Sequence, residues 1–174
     1  MEIKHEMPET KICIVTRTYS QPSAFLHWHQ NYEICQVVHK KCVFLVNGAF
    51  IEAEEGDIVI IGESVVHRFM AQEETRVRIL QFSLKVLTEA GIPIKRLKVH
   101  ISKEEIGRIE KLEQKIKMFF EIIEAEGCTV VDGQNYLQQC TVAALYCLLT
   151  CHFVEENRSI LNKEQHEFLK IIEY

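Results

Sequence analysis

The spacing of hydrophobic residues divides this chain into two halves that meet near residue 100. Before that point the apolar runs are short and rich in β-branched residues, and turn-forming residues separate them. This pattern is typical of successive β-strands rather than of helices. The predicted strands cover residues 11–19, one or two stretches within 23–38, and then 42–46, 49–53, 58–61 and 76–84.

Two turns between these runs support the prediction of hairpins. Asn47-Gly48 suits a type I′ turn, because both central residues of that turn adopt φ > 0. Gly56-Asp57 precedes the apolar run at residues 58–61. Strands this closely spaced, without helices between them, favour a sandwich or a barrel over a parallel sheet with crossover helices.

The second half has helical spacing and a recognisable start. Ser102-Lys103-Glu104-Glu105 is a capping box, in which a Ser hydroxyl and a Glu carboxylate satisfy free main-chain N–H groups. Apolar residues then recur every three or four positions, which predicts one helix ending near Gly127. The residues on its apolar face are Ile106, Ile109, Leu112, Ile116, Phe119 and Ile123.

A second long helix is predicted from about residue 133 to residue 155. Some of its apolar residues alternate in steps of three and four, which resembles the seam of a coiled coil. Further apolar residues extend the surface beyond that seam, so the helix must be buried on more than one side. The barrel and the first helix can provide that cover, or a second copy of the chain can, and we expect a homodimer. The predicted dimer contacts are Leu137, Cys140, Ala144, Cys147 and Cys151.

Composition and charge narrow the classes of function. The 174 residues are 47% hydrophobic and 26% charged, which suits one compact domain. The net charge of −5 provides no basic surface with which this segment can grip DNA by itself. No apolar run is long enough for a membrane span and no signal peptide is evident, so we expect a cytoplasmic protein. The seven cysteines show no paired spacing and are expected to be reduced thiols.

The residues that suggest chemistry are His27, His29, Glu33 and His67. The first three stand at positions i, i+2 and i+6, so an unbroken strand would point them to the same face. His67 follows the predicted strand at residues 58–61, and antiparallel pairing can bring it beside them. Imidazoles and a carboxylate together suit a divalent transition metal such as Zn, Ni, Fe or Mn.

These residues also resemble the two sequence motifs of the cupin family. The stretch from His27 to Glu33 has the HxH and following Glu of the first motif. The stretch from Gly56 to His67 has the spacing of the second motif. The resemblance implies a cupin-type, jelly-roll-like β-barrel, so the predicted fold is mainly β with two long α-helices after the barrel. Four residues differ from the pattern of enzyme-like members and favour a non-enzymatic use of the pocket: Gln21, Lys40, Gly62 and Ser64.

The order of segments is similar to the N-terminal half of an AraC-family transcription regulator. That resemblance implies an effector-binding barrel at residues 1–100, a two-helix dimerisation region at 101–157, and a linker with the start of a helix-turn-helix domain at 158–174. DNA would be bound only through that C-terminal domain, and no membrane is involved. The small-molecule effector would contact His27, His29, Glu33, His67 and Gln81.

Two alternatives stay open at this point. The His/Glu cluster can hold a metal, or it can hydrogen-bond a polar effector directly without one. The chain can also be a metal-dependent cupin enzyme, such as a dioxygenase or an isomerase, in which the same four residues hold the metal. The sensor is the preferred hypothesis, and it assigns no catalytic residue.

Overall fold

The computed structural model describes residues 3–6, 12–19, 25–126 and 136–155. Within these residues the chain forms strands along most of its first hundred positions. The strands are β1 (Lys4–His5), β2 (Ile12–Tyr19), β3 (His27–Trp28), β4 (Tyr32–His39), β5 (Cys42–Val46), β6 (Ala49–Ala53), β7 (Ile58–Ile61), β8 (His67–Ala71), β9 (Thr75–Phe82) and β10 (His100–Ile101).

The strands form two five-stranded sheets that enclose a common interior. The first sheet has the order β1-β3-β8-β5-β6, and the second has the order β10-β7-β4-β9-β2. Strand β1 pairs with β3 in parallel, whereas the other pairs are antiparallel. The expectation of a mainly β barrel is therefore confirmed.

Strand alternation divides the second sheet into an inner and an outer face. In β9, Val77 and Ile79 belong to the apolar interior between the sheets, whereas Leu80 and Phe82 belong to a separate outer core. This follows from the period of two in a strand, which points neighbouring side chains to opposite faces. The interior cluster consists of Cys35, Val37, Cys42, Phe44, Val46, Ala53, Val59, Ile61, Phe69, Ala71, Val77 and Ile79.

Helices cover the outer face of the second sheet. Phe120 and Tyr146 are fully buried there against sheet residues such as Ile34. Of the four helices in the described part of the chain, two are long, as predicted, and two are short. The helices are α1 (Lys85–Glu89), α2 (Lys103–Gly107), α3 (Leu112–Glu126) and α4 (Tyr136–Thr150). None of the helices in the described residues is long and apolar enough to cross a membrane.

The predicted hairpin turn and capping box are both present. Asn47 and Gly48 have φ values of 48° and 81°, and they join β5 to β6 as a type I′ turn would. Ser102 accepts a hydrogen bond from the Glu105 amide while the Glu105 carboxylate accepts one from the Ser102 amide. Both local sequence signals therefore form the structures that they predict.

The prediction of one continuous first helix is wrong. Helix α2 ends at Gly107, and α3 begins at Leu112. Lys111, just before α3, has a left-handed φ of 59°. Lys111 cannot continue an α-helix in that conformation. The interruption changes the helical phase, so Phe120 rather than the predicted Phe119 is fully buried.

Helix α4 also ends earlier than predicted, at Thr150 rather than near residue 155. The chain then returns to the barrel, where Phe153 accepts from the Lys98 amide and Glu155 donates to the Arg96 carbonyl. Tyr146 holds the same segment, because its hydroxyl donates to the Lys95 carbonyl (2.8 Å) and accepts from the Lys95 amide (2.7 Å). The predicted linker and helix-turn-helix start at residues 158–174 lie outside the described residues.

Asp57 ties the turn before β7 to the start of α2. Its carboxylate accepts from the Glu54 amide (3.0 Å), the Lys103 amide (2.8 Å) and His100 Nε2 (2.8 Å). Burial alone would raise the pKa of Asp57, but these hydrogen bonds outweigh it and lower the pKa. The ionised carboxylate therefore stabilises the folded chain above the ordinary pKa of an aspartate, and this stabilisation is lost as the pH falls through the lowered value.

We expect Asp57→Asn to lower the free energy of unfolding at pH 7 by about 1–3 kcal/mol, because one amide cannot replace three acceptor contacts. The difference from the wild type should shrink below about pH 4, where aspartates become protonated. Urea denaturation across this pH range measures it. Glu73→Gln, at an exposed carboxylate, is the control and should change stability by less than about 0.5 kcal/mol. An equal loss of stability in both variants would contradict the stabilising role of the Asp57 carboxylate.

Candidate functional site

Two pairs of directly opposed residues face each other across the interior. His27 in β3 is the register partner of His67 in β8, and their ring centroids lie 4.2 Å apart. Glu33 in β4 is the register partner of Gln81 in β9, and the Gln81 amide donates to the Glu33 carboxylate. Opposed residues in an antiparallel pair share a face, so the first sheet presents two imidazoles to a carboxylate and an amide on the second.

His29 lies between the two sheets, in the connection from β3 to β4. Its Nε2 atom lies 2.8 Å from Glu33 Oε1 and 3.2 Å from the Gln81 amide nitrogen. The connection is fixed by Ser64, whose amide donates to the His29 carbonyl at 2.8 Å. The structure thus brings together all five residues for which ligand contact was predicted.

The prediction that one unbroken strand points His27, His29 and Glu33 to the same face is wrong. The strand is not unbroken from His27 to Glu33, because β3 ends at Trp28 and β4 begins in the other sheet at Tyr32. The residues converge because the chain crosses the interior between the two sheets at this point. Tyr32, next to Glu33 in β4, faces outward and packs against Phe82 and Tyr146.

The three histidines are buried, and each is held in the same way. The three residues are only 1–6% exposed. Each Nδ1 donates to a main-chain carbonyl, at 2.9 Å for His27, 3.1 Å for His29 and 2.8 Å for His67. Since a carbonyl only accepts, Nδ1 carries the proton, and a neutral ring presents the lone pair of Nε2 to the interior. Metal-binding histidines are commonly oriented by such an outer hydrogen bond.

The cluster needs a positive charge beside Glu33. Burial would raise the pKa of this carboxyl, but the hydrogen bonds with His29 and Gln81 and the charge of a protonated His29 outweigh burial and hold the pKa well below its usual range. Burial would lower the pKa of His29, yet the contact with Glu33 outweighs burial and raises it. Since His29 Nδ1 already donates to a carbonyl, either a second proton on His29 or a metal ion is needed between Nε2 and the carboxylate.

One buried nitrogen of the cluster has no hydrogen-bond partner in the described residues. His67 Nε2 is buried without a hydrogen bond, and it lies 3.6 Å from Glu33 Oε2. Burial lowers the pKa of His67, which favours the neutral ring with a free lone pair. A buried acceptor that lacks a donor costs free energy unless a ligand or a water satisfies it.

The donor atoms lie close to the separations that a single cation requires. Two ligands of one ion at about 2.1 Å each lie about 3–4.2 Å apart, depending on the angle between them. The facing nitrogens of His27, His29 and His67 all lie within 4.8 Å of one another, and Glu33 Oε2 lies 3.6 Å from His67 Nε2. Small side-chain shifts would close this set around an ion. The three histidines can therefore form a metal site, and imidazole with carboxylate suits Zn, Fe, Ni or Mn.

Two clefts lie outside the barrel, and the sequence analysis did not predict either. The α1–α4 groove has a volume of about 530 Å³, and its walls include Val86 and Ile92 on one side and Ala143 on the other. A second cleft of about 430 Å³ lies between Tyr32, Glu63 and the segment at residues 94–97. Neither contains a histidine of the buried cluster.

The predicted dimer contacts lie on the solvent side of α4. Leu137, Cys140, Ala144 and Cys151 are exposed and Cys147 is half-buried. Cys140, Ala144 and Cys147 also line the α1–α4 groove. The helix therefore presents a largely apolar outer face in the single chain.

Comparison with known proteins identifies the family of this chain. The family model described as the AraC-like ligand binding domain matches residues 9–126. Similar solved structures include a conserved protein of unknown function from Streptococcus pyogenes, with 9% identity over 47% of this chain and 80% of that chain and a TM-score of 0.41. An RmlC-like cupin from Shewanella frigidimarina has 19% identity over 42% of this chain and 66% of that chain, with a TM-score of 0.38. The cupin domain of Schizosaccharomyces pombe Cnp3 has 10% identity over 51% of this chain and 69% of that chain, with a TM-score of 0.41. No curated protein matches the sequence.

We expect the wild-type chain to bind one Zn²⁺ and His67→Ala to weaken this binding by about 100-fold or more, since even outer partners of metal ligands contribute about 10–100-fold. His152→Ala, at an exposed histidine beyond α4, is the control and should bind like the wild type. Competition with a chelating dye measures the affinity, and circular dichroism shows whether both variants are folded. Equal affinity in folded His67→Ala would exclude His67 as a ligand.

Proposed function

Because the chain belongs to the family of AraC-like ligand binding domains, we propose that it is the effector-sensing and dimerisation part of a cytoplasmic AraC-type transcription regulator. A small molecule binds in the barrel, and DNA binding resides in a C-terminal helix-turn-helix domain. The observation that carries the sensing role is the buried cluster of His27, His29, Glu33, His67 and Gln81. It leaves an unsatisfied nitrogen and a carboxylate facing the interior.

The effector would be recognised at a polar end of an otherwise apolar interior. Phe69 packs beside His67 with ring centroids 5.9 Å apart, and Phe44 packs on Phe69 at 5.1 Å. Such an arrangement orients a small molecule by its polar group while the remaining surface is apolar. The cluster either binds a divalent transition metal that contacts the effector or donates and accepts hydrogen bonds directly.

Strand β9 connects the cluster to the helices. Gln81 faces the interior, whereas Arg78 lies on the outer face and contacts Glu124 of α3 at 2.7 and 3.2 Å. Arg78 also donates to Gln36 at 2.8 Å and lies 5.1 Å from the centroid of Phe120. A ligand that moves Gln81 therefore acts on the strand that anchors α3. It can shift the regulator only as far as its affinities for the two arrangements differ.

Dimerisation through α4 is supported by the apolar face that the single chain leaves exposed. Tyr136 and Leu137 are 68% and 54% exposed at the start of the helix. They stand next to the α1–α4 groove, which Cys140 and Ala144 line. Two copies related by a two-fold axis could place these side chains in each other's grooves.

We expect Ala144→Arg to dissociate the dimer, because it places a charged side chain in the middle of the apolar contact. Sedimentation equilibrium at micromolar concentration should show monomers for this variant and dimers for the wild type. Gln114→Arg adds the same charge on the exposed side of α3 and should remain dimeric. A dimer in both variants would place the interface elsewhere.

The decisive test of sensing is ligand-induced stabilisation. Thermal denaturation would be followed with a library of sugars, organic acids and small aromatic compounds, with and without added metal. A ligand at about 100 times its dissociation constant stabilises a protein by about 2.7 kcal/mol, which raises Tm by about 5–10 °C for a chain of this size. Gln81→Leu should lose this shift. Gln36→Leu should retain it, because Gln36 is also half-buried in the sheet but lies on the outer face.

A metal-dependent cupin enzyme is the second candidate function. The observation that favours it is the set of three histidines and a carboxylate, which can leave coordination positions open for substrate. Analysis of the bound compound by mass spectrometry separates the two functions. A sensor returns the ligand unchanged after incubation with the metal-loaded protein, whereas turnover would identify an enzyme and contradict the sensor hypothesis.

A further inference from the structure

The N-terminal strand β1 is docked next to the histidine cluster. It pairs in parallel with β3, with Lys4 opposite His27 and His5 opposite Trp28. The Lys4 amide donates to the Leu26 carbonyl and the Glu6 amide donates to the Trp28 carbonyl, both at 3.0 Å. These bonds place Glu6, just past the strand, beside the buried site.

Two side-chain contacts fix this position further. The His5 ring stacks on the Trp28 ring, with centroids 4.0 Å apart and an angle of 15° between the planes. Lys4 Nζ lies 4.1 Å from the centroid of Phe25, as a cation over an aromatic face. Both contacts are made to the segment that carries His27, so β1 and the first histidine are held together.

Glu6 extends its carboxylate toward that histidine. Its Oε2 atom lies 3.8 Å from Nε2 of His27, the nitrogen that presents its lone pair to the site. This separation is too long for a hydrogen bond. It falls within the range of about 3–4.2 Å expected for two ligands of one ion.

We infer that Glu6 is a further carboxylate ligand of the cation at this site, so that metal binding ties β1 to the barrel. The inference rests on the proposed metal at His27, His29, Glu33 and His67. The approach of Glu6 Oε2 to the ring nitrogen of His27 carries it, because at 3.8 Å the two atoms are too far apart for a hydrogen bond and the neutral ring turns the lone pair of Nε2, not a proton, toward the carboxylate.

The charges of the site support a second carboxylate. Three neutral histidines and one ionised Glu33 leave a divalent cation with a net charge of +1 in a buried position. An uncompensated buried charge is unfavourable, and Glu6 neutralises it. Glu6 itself is 58% exposed, so its carboxylate can reach the ion from the solvent side without being buried in the absence of metal.

The test compares the wild type with Glu6→Gln, which keeps the size of the side chain and removes its charge. Zinc affinity would be measured by competition with a chelating dye. Exchange of the Lys4 and Glu6 amides would be followed by hydrogen–deuterium exchange with and without Zn²⁺. In the wild type, zinc should slow this exchange, since both amides are hydrogen-bonded only while β1 is docked. In Glu6→Gln, zinc affinity should fall about tenfold or more, and saturating zinc should no longer slow the exchange.

Two matched variants separate ligation from docking. Glu73→Gln removes an exposed carboxylate elsewhere and should behave as the wild type. His5→Ala removes the stack on Trp28 but keeps the Glu6 carboxylate, so zinc should still slow exchange of the two amides. Unchanged affinity and unchanged zinc protection in Glu6→Gln would overturn the inference while leaving the metal site intact. A wild type that binds neither Zn²⁺, Ni²⁺ nor Mn²⁺ would remove the metal site and this inference together, without excluding direct effector binding.

Discussion

The burial of the Glu33 carboxylate is the constraint on which the functional half of this structure depends. An ionised carboxylate with no exposure to water must be matched by donors or by a cation. The surroundings meet this need with Gln81 in the next strand and His29 in the crossing between the sheets. Replacing the proton of His29 by a metal ion changes what supplies the positive charge but leaves the requirement the same.

Two separate cores explain why the barrel tolerates a buried polar cluster. Strand alternation in the second sheet supplies two separate cores, an inner one around Phe44 and an outer one under the helices. The outer core contains most of the largest fully buried side chains, Phe120 and Tyr146 among them. A polar cluster in the inner core is therefore tolerated, because the helices stabilise the sheet independently from the other side.

The sequence predicted which residues converge better than it predicted the geometry that brings them together. Residue types and spacing identified His27, His29, Glu33 and His67, because imidazoles next to a carboxylate in a strand-rich segment are chemically distinctive. Strand parity could not reveal the crossing at residues 29–31, which moves the chain from one sheet to the other. Strand β8, which carries His67, was not predicted either, since its alternation covers only five residues.

Local signals with a defined geometry were reliable, whereas features set by tertiary contacts were not. The turn at Asn47-Gly48 and the capping box at Ser102 both formed as predicted. The break before Leu112 depends on the left-handed conformation of Lys111, and nothing in a lysine requires φ > 0. The two clefts arise from segments far apart in the chain, so no sequence window could contain their signal.

The return of the chain to the barrel after α4 sets the point from which later residues depart. Leu97 bridges Val154, and Arg96 is bonded to Glu155 through both main chain and side chain. A domain joined beyond this point would hinge on the barrel wall rather than on the free end of a helix. Displacement of the segment at residues 94–97 would therefore move the point to which that domain is attached. The barrel itself, rather than the end of a helix, would then set the orientation of such a domain.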